Sequence, residues 1–396
     1  MKPQKILFIH HAAGWGGAPL NMVNIIKNLD KKKYSPSVLL LKDSLVCEVL
    51  KENNIDYKII QSVFYRKFYQ YFIHSAANYT KWFQLYRLIK LTMSWVLSKY
   101  YFAGKELQNI DFDLAHLNSS ALTDWLVPCK KKGKVVIHIQ EPFTKGYFGI
   151  RYNFLRYQMR KHADHILAIS FDNAKRVDLL YKTTIVYNFT KISKKAPKFD
   201  SYRSNKVLYV GGALKIKGFF VIIKALSYIN SDVKVIFAGN YNQQIKKYSI
   251  KKLLPYKRRL LKAIQELRNN EKAIEVGMVT DITPYIDEVC CIISPFFIPH
   301  FSRPLIEAFA NYKPVIASDV KGTDEVVHHN TNGIIVLKDD QKALAKAINY
   351  ICSHPEEASE MGKTGYQEAV EKYSYKNINI IEDIYNNIFV NNREKI

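Results

Sequence analysis

FSRPLIEAFANYKPVIAS, residues 301–318, carries a helix start, a closely packing helix and a strand in one short run. Pro304 suits the first helical position, so the pattern predicts a helix beginning near Arg303. Ala308 and Ala310 let that helix pack closely. PVIAS (314–318) then reads as a buried strand, apolar and β-branched. Such a helix–strand junction is half of an α/β unit, and the flanking sequence repeats the theme.

Working outward, KVLYVGG (206–212), VKVIFAG (233–239), AIEVGMV (273–279), CCIISPF (290–296) and NGIIVL (332–337) read as further strands with helices between them. The first half has its own series: KILFIHHA (5–12), SPSVLLL (35–41), DYKII (56–60), FDLAHL (112–117), KVVIHIQ (134–140) and HILAIS (165–170). Near-continuous apolar runs alternating with helices predict parallel sheets covered on both faces. The polar, basic, proline-broken run 185–204 reads as a linker, and INIIEDIYNNIF beyond 376 as a closing amphipathic helix. The expected architecture is α/β: two Rossmann-like, doubly wound domains facing a cleft, where such sheets bind ligands. We place an N-terminal domain at 1–190, a C-terminal domain at 191–375, and a helix at 376–396 packing back on the first.

Length supports two domains, since 396 residues exceed one ordinary core. The 48% hydrophobic and 24% charged content is that of a folded globular chain. Five cysteines without a CxxC pair argue for a reducing compartment, against a disulfide framework or zinc site. The apolar part of MKPQKILFIHH is short for a signal peptide, so export is not expected. No apolar run reaches the 18 or so residues that span a bilayer. The formal net charge of +24 favours anionic partners, or reflects an AT-rich genome that fills surfaces with lysine.

The chemistry concentrates in the second half. In VGGALKIKG (210–218), Gly211 and Gly212 permit close approach of a ligand to backbone, with Lys217 in reach of a phosphate oxygen. The run is neither a Walker loop nor GxGxxG, and an ordinary strand–helix turn with a surface lysine reads the same way. At the opening stretch, Ser302 and Arg303 add a hydroxyl and a fork donor for phosphate. Glu307 lies one turn in, where a carboxylate can accept both hydrogen bonds of a ribose diol or simply favour the helix dipole.

The run GGALKIKG … VIFAGN … EVGMVTDITPYIDE … IISPFFIPHFSRPLIEAFANYKPVIASDVKGTDEVVHHNTNGIIV resembles the retaining GT-B glycosyltransferases of family 4. GGAP, DLAH, HIQE, ILAIS and VYN in the first half agree more loosely. The resemblance implies transfer of a sugar from a nucleotide donor with retention and without a bound metal or cofactor, the co-substrate being a UDP- or GDP-linked sugar. It assigns Gly211, Gly212, Lys217, Ser302, Arg303 and Glu307 to the donor, with Glu325 as a cleft-facing acid and Gly16 and Gly17 approaching the phosphates or acceptor. Three positions depart from the family. Gly212 stands where an arginine is usual, and Arg303 is the compensating cation. Pro299 falls on the first motif carboxylate, leaving His300 as its replacement. Gln140 takes the position of an active-site histidine, with His138 two residues earlier on the same strand face and Glu141 following. His138, Gln140, Glu141 and His300 are therefore the catalytic candidates, His138 reading equally well as a core histidine. The Asp111-Phe112-Asp113 run imitates a metal-binding DxD but leads into a strand, and we expect a turn there.

Residues 57–105 contain no Asp or Glu, and Trp82, Tyr86, Ile89, Met93 and Val96 recur at helical spacing among Arg66, Lys67, Lys81, Arg87, Lys90 and Lys99. GYFGIRYNFLRYQMRKH (146–162) repeats this composition, and KKYSIKKLLPYKRRLLK (246–262) adds a basic cluster. Basic residues flanking an aromatic face fit a helix lying in a membrane interface, or core helices with solvated lysines. Aromatic–basic mixtures also bind single strands, but no accompanying nucleic-acid motif is present and no nucleic-acid partner is expected. The expectation is an enzyme peripheral on the inner face of the bacterial cell membrane, acting on a lipid-linked or glycan acceptor in polysaccharide synthesis. A nucleotide-sugar epimerase or hydrolase on the same fold, and a non-catalytic binding relative, are the alternatives.

Overall fold

The computed structural model describes residues 2–11, 16–72, 80–81, 83–241, 255–279 and 281–390. Trp82 and the 246–254 part of the third basic cluster, both singled out in the sequence, lie outside the described residues.

The chain divides into two compact units, Met1–Phe189 with Tyr375–Ile396, and Thr190–Ser374. The first holds seven strands: β1 (Gln4–His10), β2 (Tyr34–Leu40), β3 (Tyr57–Ile59), β4 (Leu114–Leu117), β5 (Lys134–Ile139), β6 (His165–Ala168) and β7 (Thr183–Ile185). Their order is β3-β2-β1-β4-β5-β6-β7, all parallel. The second holds β8 (Lys206–Val210), β9 (Lys234–Ala238), β10 (Ala273–Gly277), β11 (Cys291–Ser294), β12 (Val315–Ser318) and β13 (Gly333–Val336). Their order is β10-β9-β8-β11-β12-β13, again parallel throughout. In each sheet the strand order reverses direction once, between β1 and β4 and between β8 and β11. At such a switch point the connections diverge to opposite faces and leave an opening at the carboxyl strand ends.

The continuous apolar strands are explained by burial on both faces. In β1, Leu7 and Ile9 join a core with Trp125 and Leu155, while Ile6 and Phe8 join another with Met22 and Val136. The helix Asn377–Val390 closes that second face, inserting Ile378, Ile381, Ile384 and Tyr385. β7 is a strand that the sequence pattern does not announce: three half-buried residues, TTI, at the sheet's edge. The pairing of Ile166–Ala168 with Thr183–Ile185 makes it a strand, not its own composition.

The helix Leu85–Leu97 turns Leu91, Ser94 and Trp95 inward. It leaves Tyr86 (80% exposed), Ile89 (59%), Met93 (57%) and Val96 in solvent, so the predicted helical stripe is a surface, not a core. Trp95 meets Phe154 edge-on at 4.9 Å, which sets this helix beside Ile150–His162 with its exposed Ile150 and Tyr157, and Phe148 exposed just before it. Among the described residues, no helix is long and apolar enough to cross a membrane.

Candidate active site

The second unit assembles its polar residues at the β8/β11 switch point. β8 runs into Gly211-Gly212 and a single 3₁₀ turn, Lys215–Lys217. Gly212 has φ +58°, and a Cβ there would lie 3.1 Å from the Asn240 backbone N, so a side chain at this position would be strained in this backbone conformation. Gly218 has φ +79°, and its Cβ would collide with the Pro295 carbonyl. That close approach, with the bond from the Phe297 N–H to the Ile216 carbonyl at 3.0 Å, locks the lysine loop against the segment leaving β11.

That segment leads through Pro299 and His300 to the helix Arg303–Phe309, with Ser302 at its N-cap. Ser302 does not cap with its side chain; its hydroxyl bonds Ser294 Oγ at 2.8 Å. Arg303, only 8% exposed, donates from Nε to Glu307 Oε1 at 2.7 Å, while its Nη1 is buried without a partner. Burial raises the Glu307 carboxyl, opposed by Arg303 and by Lys217. Burial likewise lowers the Lys217 ammonium, opposed by Glu307. Burial, helped by the Lys217 charge, pushes His300 down to about 3, so it is a neutral imidazole stacked on Phe296 at 4.3 Å. Lys217, His300, Arg303 and Glu307 thus form one electrostatic group. Arg303 and Lys217 face Glu307 in a partly dehydrated site, with Arg303 Nη1 left as a spare donor among the described residues. Such a site suits a polyanion such as a diphosphate.

Asp281 belongs to this neighbourhood, raising Glu307 through its charge, and the sequence reading missed it. It precedes the turn into Thr283–Asp287, where its Oδ1 accepts the Thr283 N–H at 2.9 Å. Glu325 sits half-exposed in the turn after β12.

In the first unit, Gly16 and Gly17 lie exposed at the start of the helix Gly17–Asn28, with open space around both. Gln140 donates to Asn118 Oδ1 at 3.1 Å, and Asn118 in turn donates to the Ala18 carbonyl at 3.1 Å. Glu141 accepts from Ser119 Oγ at 2.5 Å and from Ser120 Oγ at 3.0 Å. Gln140 and Glu141 therefore lie at the carboxyl strand ends of β4 and β5. His138 does not join them. It is fully buried, with Nδ1 3.2 Å from His116 Nε2, and His116 Nδ1 lies 2.6 Å from the Tyr385 hydroxyl on the closing helix. Burial pushes it down to about 3. His138 is a core histidine in this fold, because its side chain points to the face that Asn377–Val390 covers. Asp111 and Asp113 are occupied at the opposite, amino end of the sheet, where Asp113 accepts the Lys5 N–H at 2.7 Å and Asp111 pairs with the Lys5 ammonium at 2.5 Å.

Residues 188–368 match the family model described as Glycosyl transferases group 1. An uncharacterized glycosyltransferase of Methanocaldococcus jannaschii is 22% identical over 218 residues, 54% of this chain and 57% of that protein, so the chain spans little more than half of that relative's length. The O-antigen chain mannosyltransferase RfbU of Salmonella typhimurium is 23% identical over 267 residues, covering 65% of this chain and 69% of that protein. Among solved structures, HepE of Anabaena in complex with UDP and glucose superposes with a TM-score of 0.74 at 19% identity, covering 96% of this chain and 99% of HepE. At that identity the likeness is one of fold. Residues 188–368 thus resemble the glycosyl transferases group 1 model, and the chain as a whole has the two parallel-sheet units of a GT-B fold.

Proposed function

We propose that the protein transfers a sugar from a UDP- or GDP-linked donor to a lipid-linked or glycan acceptor in the synthesis of a cell-surface polysaccharide. The observation that carries this reading is the cluster of Lys217, His300, Arg303 and Glu307 at the β8/β11 switch point, inside the matched domain. Lys217 and Arg303 would hold the diphosphate, and Glu307 the ribose diol. Their fixed charges would stabilise the leaving nucleoside diphosphate as the glycosidic bond breaks, a preorganised alternative to a bound cation. His300, neutral beside Lys217, would contact the donor sugar where the family's first carboxylate is replaced by Pro299. Gly16 and Gly17 would offer bare backbone to an acceptor. Retention of configuration and independence of metal are proposals carried by the resemblance in sequence.

The acceptor assignment draws on the O-antigen relative and on a capsular polysaccharide biosynthesis glycosyltransferase, CapM of Staphylococcus aureus, matched over 45% of each chain. It draws too on the exposed aromatic face of Leu85–Leu97, which fits an anionic membrane surface at the cytoplasmic side. The test is calorimetric titration with nucleoside diphosphates, followed by turnover of the matching nucleotide sugar. Binding of none of them by the wild type would contradict the donor-site assignment.

A further inference from the structure

β8 leads directly into the glycine loop, and Tyr209 is its penultimate residue. Alternation along the strand sends this side chain to the same face as Val207, into the core of the second unit. Its ring meets Phe237 of β9 at 5.6 Å, and Tyr241 lies beyond, 6.3 Å from Phe237 and 5.7 Å from Phe219. Tyr209 is only 1% exposed, yet it carries a polar tip. A buried phenol costs desolvation unless its hydroxyl is bonded, and a phenylalanine would fill the same space without that cost. The hydroxyl's partner is therefore the point of interest.

That partner is the loop itself. The Tyr209 hydroxyl donates to the Gly212 carbonyl at 3.1 Å. The same carbonyl accepts the Leu214 N–H at 2.9 Å, and the Leu214 carbonyl accepts the Lys217 N–H at 3.1 Å. A relay of hydrogen bonds thus runs from a core phenol to the backbone of the lysine. Sterics say the same. A Cβ on Gly211 would lie 2.3 Å from the Tyr209 hydroxyl oxygen and 2.4 Å from its Cζ, so no side chain fits there while the ring is in place. A Cβ on Gly239, at the end of β9, would lie 2.3 Å from the Gly212 N, closing the loop in from its other side. Burial, with the neighbouring Tyr241, holds the phenol well above its ordinary 10, so it stays protonated and a donor at neutral pH.

We propose that Tyr209 is a positioning residue of the donor site, its hydroxyl fixing the Gly212 carbonyl so that the 3₁₀ turn beyond it holds Lys217 in place for the diphosphate. The proposal rests on the reading of that site as one for a nucleoside diphosphate. Gly212 brings no side chain where related sequences carry an arginine. Its backbone is instead held from the core by a residue that does not touch the ligand, which leaves Lys217 as the loop's cation.

The test is a double-mutant cycle on the whole chain, reading calorimetric Kd for UDP and GDP in the wild type, Tyr209→Phe, Lys217→Ala and the double variant. Tyr209→Phe keeps the ring, and the Gly212 carbonyl keeps the Leu214 N–H, so the fold survives the change. Tyr209→Phe is expected to weaken nucleotide binding about 2- to 10-fold, the affinity equivalent of one neutral hydrogen bond. In the Lys217→Ala background the same change should leave Kd unmoved, because the group being positioned is gone. Amide exchange across 211–218 should also rise in Tyr209→Phe. Wild-type Kd in Tyr209→Phe overturns the proposal, as does unchanged protection of 211–218. An equal loss in both backgrounds overturns it too, since a phenol that only stabilised the unit would act without regard to Lys217. Unchanged Kd in Lys217→Ala removes the residue that Tyr209 is held to position. A wild type that binds neither UDP nor GDP contradicts the donor site itself, and the proposal falls with it.

Discussion

Glu307 and Lys217 are the residues on which the proposed donor site turns. Each is a charge held partly out of water against its own solvation, which a fold tolerates only where partners or a ligand compensate. Removing a charged hydrogen-bond partner costs about 1.5–3 kcal/mol, or roughly 10- to 100-fold in affinity. Glu307→Ala and Lys217→Ala should each weaken nucleoside diphosphate binding by that factor while leaving the far-ultraviolet circular dichroism unchanged. Unchanged Kd in both variants would sink the assignment. Arg303, Glu307 and Lys217 were legible in the sequence because two local motifs, a glycine–lysine turn and a proline-started helix, each carry their chemistry within a few residues. Asp281 and Asn118 were not. Their significance comes from strand order, which places β1 beside β4 and sets β10 in the same sheet as β8 and β11, and no local pattern encodes that order. His138 illustrates the converse: its spacing along β5 was readable, but the helix that buries its face begins more than 200 residues later.

At the scale of elements, the helix Leu85–Leu97 combines an inward anchor with an outward aromatic face. Its period was plain in the sequence, but period alone does not say which stripe faces in. The structure settles it through Leu91 and Trp95, with the Trp95 indole N–H donating to Thr123 Oγ1 at 3.1 Å. If the outward face meets anionic lipid, the protein should co-sediment with phosphatidylglycerol vesicles at low salt. A double Tyr86→Ser, Ile89→Ser variant should then lose most of that binding, and equal sedimentation of variant and wild type would remove the membrane reading. Beneath this helix lies Asp124, fully buried, its Oδ2 accepting from the Tyr69 hydroxyl at 2.9 Å. Burial pushes its carboxyl up to about 7 from an ordinary 3.8. The folded state therefore holds a proton that the unfolded state has already released, so this contribution is full below pH 3.8 and is lost as pH rises towards 7. Asp124→Asn should flatten the pH dependence of stability over that window. Parallel melting curves for variant and wild type between pH 4 and 7 would count against it.

The whole molecule is two sheets, with its last helix returned to the first. Ile381 and Tyr385 complete the core built on Ile6, Phe8 and Leu114, so the first unit is not finished until residue 390 is in place. The alternation of strand and helix made both sheets readable, and the amphipathic pattern after 376 announced a closing helix. β7 escaped because three residues carry no period of their own. Ile381→Ala should destabilise the first unit by about 2–5 kcal/mol, the usual cost of truncating a buried isoleucine. Melting of the first unit should come earlier, while nucleotide affinity in the second stays intact; a variant that melts with the wild type would show that the closing helix contributes little.

The donor site is the central claim, and calorimetric titration of the wild type and Glu307→Ala with UDP and GDP tests it most directly. The account predicts saturable binding of one of them by the wild type, weakened at least tenfold in the variant. Binding that is absent from the wild type, or equal in the two proteins, would contradict it.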